Sequence, residues 1–118
     1  MTPERTLATL RSICLGFPEA EERETGGEAT FRVRDRIFVI AGVREDGTVG
    51  TSMKAYDEQE ALLARGAPFY HPPYVGSKRW IGIELGDDTD WDEMAELVEE
   101  SYRSTAPKRL VRELDEQR

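Results

Sequence analysis

Hydrophobic and polar positions alternate along residues 80–85, with Ile81, Ile83 and Leu85 on one side and Trp80, Gly82 and Glu84 on the other. That period of two is the pattern of a half-buried strand. The run Gly86-Asp87-Asp88-Thr89 breaks it. Asp90 then stands where a helix N-cap belongs, with Glu93 three residues on as the second arm of a capping box. Trp91, Met94, Leu97, Val98 and the pair Ser101-Tyr102 recur at helical spacing, which predicts a helix over 90–104. One face of this helix closes over a sheet, while Asp92, Glu93, Glu96, Glu99 and Glu100 stay in water.

The same reading gives the remaining elements. Thr2 caps a helix that begins at Pro3, buries Leu7, Leu10, Ile13 and Cys14, and ends near Leu15 because Gly16 and Phe17-Pro18 stop it. The acidic stretch 19–28, with Gly26-Gly27, reads as a surface loop. Strands follow at 30–34, 37–42 and 48–55, the first two joined tightly at Asp35-Arg36. Phe31 and Val33 face inward, with Arg32 and Arg34 outward. Val49, Thr51 and Met53 oppose Gly50, Ser52 and Lys54. Asp57 and Glu60 repeat the capping-box spacing ahead of a short helix closed by Gly66. Residues 67–74 hold too many prolines for a central strand and read as an extended crossing. Leu110, Val111 and Leu114 mark a last amphipathic helix, which docks either on the domain or on a partner. The architecture expected is α+β: an antiparallel sheet flanked by helices, with the N-terminal and 90–104 helices covering it.

Several of these segments together resemble a known family. Lys78, the strand Trp80-Ile-Gly-Ile-Glu-Leu85, the turn Gly86-Asp87-Asp88 and the helix-ending Ser101-Tyr102 are similar to the C-terminal half of the MmcQ/YjbR family. Leu15-Gly16-Phe17-Pro18-Glu19-Ala20-Glu21-Glu22 resembles the family's opening, and the strands from Phe31 to Phe38 resemble its paired strands. The likeness spans roughly residues 5–105. It divides the chain into a single domain over 1–105 and a helical extension over 106–118. The resemblance implies a CyaY-like fold with a double-wing DNA-binding arrangement, the two hairpins of 30–55 standing where the wings belong. That inference is one of fold likeness, because a fold hosts many functions.

Charge and chemistry narrow the function. The 118 residues hold 16 Lys and Arg against 24 Asp and Glu, a net charge of −8. Such a chain repels polyanions at long range, so any contact with nucleic acid depends on a local basic patch. The candidates are Arg32, Arg34, Arg36, Arg44, Lys54, Lys78 and Arg79, with Trp80, and Tyr74 beside it, as aromatic platforms. Two plainer roles compete: the cations pair with neighbouring acids, and Trp80 packs under a helix where Gly82 leaves room.

No catalytic constellation is visible. His71 is the one histidine and lies in a proline-rich loop with no nucleophile motif near it, Gly-rich phosphate loops are absent, and one His with one Cys does not make a zinc site. Cys14 falls on the buried stripe of its helix and reads as a spectator. No catalytic residue, cofactor or metal site is expected, and neither is a membrane span or secretory start, so the expected location is cytoplasmic. Three functions fit this sequence. In order, they are a non-enzymatic DNA-binding module using the hairpin arginines, a regulatory module whose acidic helix meets a basic protein, and weak cation binding by carboxylates.

Overall fold

The structure, a computed structural model, describes residues 2–73 and 79–118. Within them the chain runs α1 (Pro3–Leu15), β1 (Glu21–Thr25), β2 (Glu28–Val33), β3 (Arg36–Val43), β4 (Val49–Lys54), α2 (Gln59–Arg65), β5 (Phe69–Tyr70), β6 (Trp80–Leu85), α3 (Trp91–Thr105) and α4 (Lys108–Glu116). The six strands form one antiparallel sheet in the order β1-β2-β3-β4-β6-β5, so the architecture is α+β.

Caps set the helix starts. Thr2 accepts a hydrogen bond from the Arg5 amide at 3.2 Å, and Asp90 accepts one from the Glu93 amide at 3.1 Å. Glu93 does not close the expected capping box. Its carboxylate instead takes a two-pronged bond from Arg65, at 2.6 and 3.2 Å, which ties α2 to α3. Asp57 does not cap α2 either: the helix starts after Glu58, with no side-chain cap, and buried Gln59 donates to the Trp80 carbonyl at 2.9 Å.

Three further expectations are corrected. The acidic 19–28 segment is not a loop throughout but contains β1, paired residue by residue with β2 from Glu21↔Arg32 to Thr25↔Glu28. It shows no alternation because as an edge strand it is exposed on nearly every residue, and its charges discourage further strands from pairing there. Gly26 and Gly27, both at positive φ, make its turn. The β2–β3 turn falls one residue earlier than expected, on Arg34 and Asp35 (φ 51° and 64°), the geometry of a type I′ hairpin. The proline-rich crossing contributes the two-residue edge strand β5, where missing amide donors cost least.

One face of the sheet carries the core. Phe31, Val33, Val39, Ala41, Val49, Met53, Ile81, Ile83 and Leu85 pack with Leu10 and Cys14 of α1 and with Met94, Leu97, Val98 and Tyr102 of α3. Leu110 and Leu114 of α4 belong to the same core, so this helix docks on the domain. Burial pushes the Cys14 thiol far up, leaving it a poor nucleophile.

A bulge in β3 organises this face. Phe31 pairs with Val39 but Arg32 pairs with Ile37, leaving Phe38 without a partner on β2. Phe38 is fully buried beside Val39 and meets Phe17 and Tyr102 edge-on, at centroid distances of 6.3 and 5.4 Å. Phe17 and Tyr102 stack at 4.8 Å. Beside the bulge, the Ser101 hydroxyl of α3 donates to the Phe38 carbonyl at 2.6 Å and accepts from the Lys54 amide at 3.0 Å. A side chain thus bridges β3 and β4. The Tyr102 hydroxyl donates to the Pro18 carbonyl at 2.8 Å, and burial, with Glu113 and Glu19 nearby, pushes its pKa up to about 12, so it stays a donor across the working pH range.

The two neighbours are expected to differ on mutation. Ser101→Ala orphans a carbonyl and an amide and should lower unfolding stability by roughly 2–3 kcal/mol, whereas Tyr102→Phe keeps the stack, loses one bond and should cost about 1 kcal/mol. Urea titrations of the two variants measure the difference, and equal losses would contradict the bridging role.

Candidate nucleic-acid interface on the open sheet face

The other face of the sheet carries Arg32, Ile40, Gly42, Gly50, Ser52 and Lys54, all only half-buried. Register lines up its side chains. Arg23, Thr30, Ile40, Ser52, Gly82 and Tyr70 form one row across all six strands. Gly42, Gly50 and Glu84 form the next row on one side, and Lys54 with Trp80 lies on the other.

Small residues in the middle leave a trough of about 550 Å³, into which longer side chains fold from its borders. Tyr70 lies over Gly82, where any side chain would run into its ring. This corrects the expectation for Gly82, whose missing side chain makes room for Tyr70 rather than Trp80. Arg44 lies over Gly50: a Cβ there would come within 2.8 Å of its Nε. The guanidinium of Arg44 rests 4.9 Å from the Tyr70 ring centroid and 3.7 Å from the Glu84 carboxylate. Glu28 borders Gly42.

The structure separates the sequence candidates. Arg34 is not an outward strand residue but sits in the hairpin turn, where the Glu19 carboxylate accepts two bonds from it at 2.6 and 3.2 Å. Hydrogen bonds from Arg34 hold the Glu19 carboxyl below the usual range, and Arg109 adds to this. Arg79 donates to the Tyr56 carbonyl at 2.5 Å, and Arg44 is shared between Tyr70 and Glu84. Trp80 is 7% exposed, too buried to offer a ring face to a ligand. Lys78 and Tyr74 lie outside the described residues.

Arg32, Arg36 and Lys54 remain. Arg32 lies across β2 and β1, donating to the hydroxyls of Thr30 (3.2 Å) and Thr25 (3.4 Å). Arg36 opens β3 and is exposed. Burial, and then the charge of Arg36, lowers the Lys54 pKa below the usual lysine value. None of the three has an ion-pair partner among the described residues.

Acids gather elsewhere. Glu58, Glu93, Glu96, Glu99 and Glu100 line a groove of about 490 Å³ along α2 and α3. Burial pushes the Glu99 carboxyl up, but hydrogen bonds from Arg118 and Arg103 outweigh it and leave it below the usual range. Glu58 is raised by burial and then by Glu100 and Asp57, and one of its oxygens is buried without a partner among the described residues. Among those residues no group of three or more His, Cys, Asp or Glu is placed to hold a metal ion, and no helix is long and apolar enough to cross a membrane.

These features define a small α+β domain with one face of its sheet packed under helices and the other partly open. Residues 15–104 match the YjbR family model, a span that takes in all six strands, and the chain belongs to that family. No curated protein matches it.

Two predictions follow from these contacts. Gly82→Ala should drive the Tyr70 ring off the sheet and Arg44 with it, seen as shifted Tyr70 ring resonances and a lowered melting temperature; an unchanged Tyr70 environment contradicts the packing. The Glu58 carboxyl has a raised folded pKa, so its contribution is fully present below the ordinary value and is lost as pH rises through the raised one. Glu58→Gln should therefore be more stable than the native chain at pH 7, with the gap closing toward pH ~4. A gap independent of pH would contradict the assignment.

Proposed function

We propose that this chain is a nucleic-acid-binding domain without catalytic activity of its own, and that Arg32, Arg36 and Lys54 supply its phosphate contacts. The observation behind this reading is that these three cations sit on adjacent strands with no ion-pair partner among the described residues, although the chain as a whole is strongly acidic. Burial and then the charge of Arg36 both disfavour the Lys54 ammonium, and an anion beside it offsets both. Family membership agrees with the fold but names no activity.

A net charge of −8 opposes every contact, so affinity is low and falls steeply with salt. With about three phosphates neutralised, log K should fall against log salt with a slope of about −3. Arg32→Glu combined with Lys54→Glu should abolish binding to mixed-sequence duplex, while Arg34→Ala, which breaks only the Glu19 pair, should change it less than roughly twofold. Removing charge with Glu96→Gln should strengthen it modestly through the long-range field. A gel-shift titration at ~50 mM salt is the test, and no complex at high micromolar protein, beyond the usual non-specific range, overturns the reading.

A second reading has its own observation. The Glu58 oxygen that has no partner among the described residues, beside Glu100 in the acidic groove, suits a basic protein segment. It predicts that Glu96→Lys with Glu100→Lys weakens partner binding while Arg32 and Lys54 changes have no effect.

A further inference from the structure

The trough has a floor, a polar wall and one cationic border, and these are oriented. Its floor is Ile40 and Ser52, and the Arg44 guanidinium covers Gly50 beside them. The Arg44 guanidinium lies over the Tyr70 ring, and a guanidinium or phenol plane is of the kind on which nucleobases stack. Lys54 stands on the same face of β4 four residues from Gly50, about 13 Å along a strand, with Arg32 on β2. At the opposite end Glu28 and Glu84 carry negative charge and Glu84 already holds Arg44, so an anionic group is accepted at the Lys54 end and refused at the other. A volume of about 550 Å³ is that of a small-ligand site.

We infer that the trough holds one nucleotide unit of a single-stranded nucleic acid, its base against Tyr70 and Arg44 and its phosphate toward Lys54 and Arg32. This rests on the phosphate-binding reading of those cations and adds to it the form of the partner. Bases in a duplex are stacked on one another and present no free ring face; those of a single strand do. Affinity for single strands therefore has two sources, charge and stacking, while duplex affinity has only the first.

The test is fluorescence anisotropy with a labelled 12-nucleotide single strand and a duplex of the same length at ~50 mM salt, on the full chain. The single strand should bind about tenfold tighter, the scale of one stacked base. Ser52→Leu fills the floor while leaving Arg32, Lys54 and the contacts of Arg44 over Gly50 in place, and should bring single-strand affinity down to the duplex value without changing duplex affinity. Tyr70→Leu, which leaves the floor intact, should do the same if the first variant fails to fold. Equal affinity for both forms, or a preference untouched by either variant, overturns the trough and leaves the cationic patch standing. Binding of neither form overturns both.

Discussion

The Ser101 hydroxyl is the contact on which the arrangement of this domain depends. The β3 bulge turns Phe38 into the core and leaves its carbonyl, and the amide of Lys54, without a backbone partner across the β3–β4 gap. Unsatisfied, these groups would cost more than Phe38 burial at this position easily offsets, since each orphan costs about 1–3 kcal/mol and a buried Phe contributes about 1.5–3 kcal/mol. One hydroxyl serves both groups and fixes α3 against the sheet. The next residue, Tyr102, stacks on Phe17 and reaches the Pro18 carbonyl, binding the segment after α1 to the same point. The Ser-Tyr pair is thus a structural joint.

That joint also shapes the open face. With Phe38 drawn to the helix side, Ile37 and Ile40 are the β3 side chains left facing outward in this region, and Lys54 is held at the end of β4 beside them. Further along, Gly42, Gly50 and Gly82 create depth that Glu28, Arg44 and Tyr70 border. The face is therefore graded, cationic at the Lys54 end and acid-balanced at the Glu84 end, while the most acidic groove lies along α2 and α3. A chain of net charge −8 can present a local anion-binding surface in this way, although its field still opposes long-range attraction.

Much of the fold was legible in the sequence because burial leaves a period. The β2, β4 and β6 strands and the α1 and α3 helices show a buried side as alternation or helical spacing, and β3 shows as an unbroken apolar run. β1 was not legible for the converse reason: Glu-Glu-Arg-Glu-Thr buries neither side, so its pairing with β2 leaves no hydrophobic period. The site was less legible still. Arg34 and Arg32 look alike two residues apart, yet the type I′ turn hands Arg34 to Glu19, fifteen residues earlier in the chain. Gly50, Ser52 and Gly82 were visible as outward small residues, but nothing short of strand register places Tyr70 over one and Arg44 over another. Ser101 and Tyr102 stood out by helical spacing and by resemblance, but their roles emerge only where the bulge meets α3.

Amide shifts of the isotopically labelled chain, recorded during titration with a short single-stranded oligonucleotide at low salt, show whether the open sheet face is the binding surface. Shifts are expected at Arg32, Gly50, Ser52, Lys54 and Tyr70, with the amides of α3 unmoved. Shifts gathered along Glu93, Glu96 and Glu100, or none at saturating oligonucleotide, would contradict it.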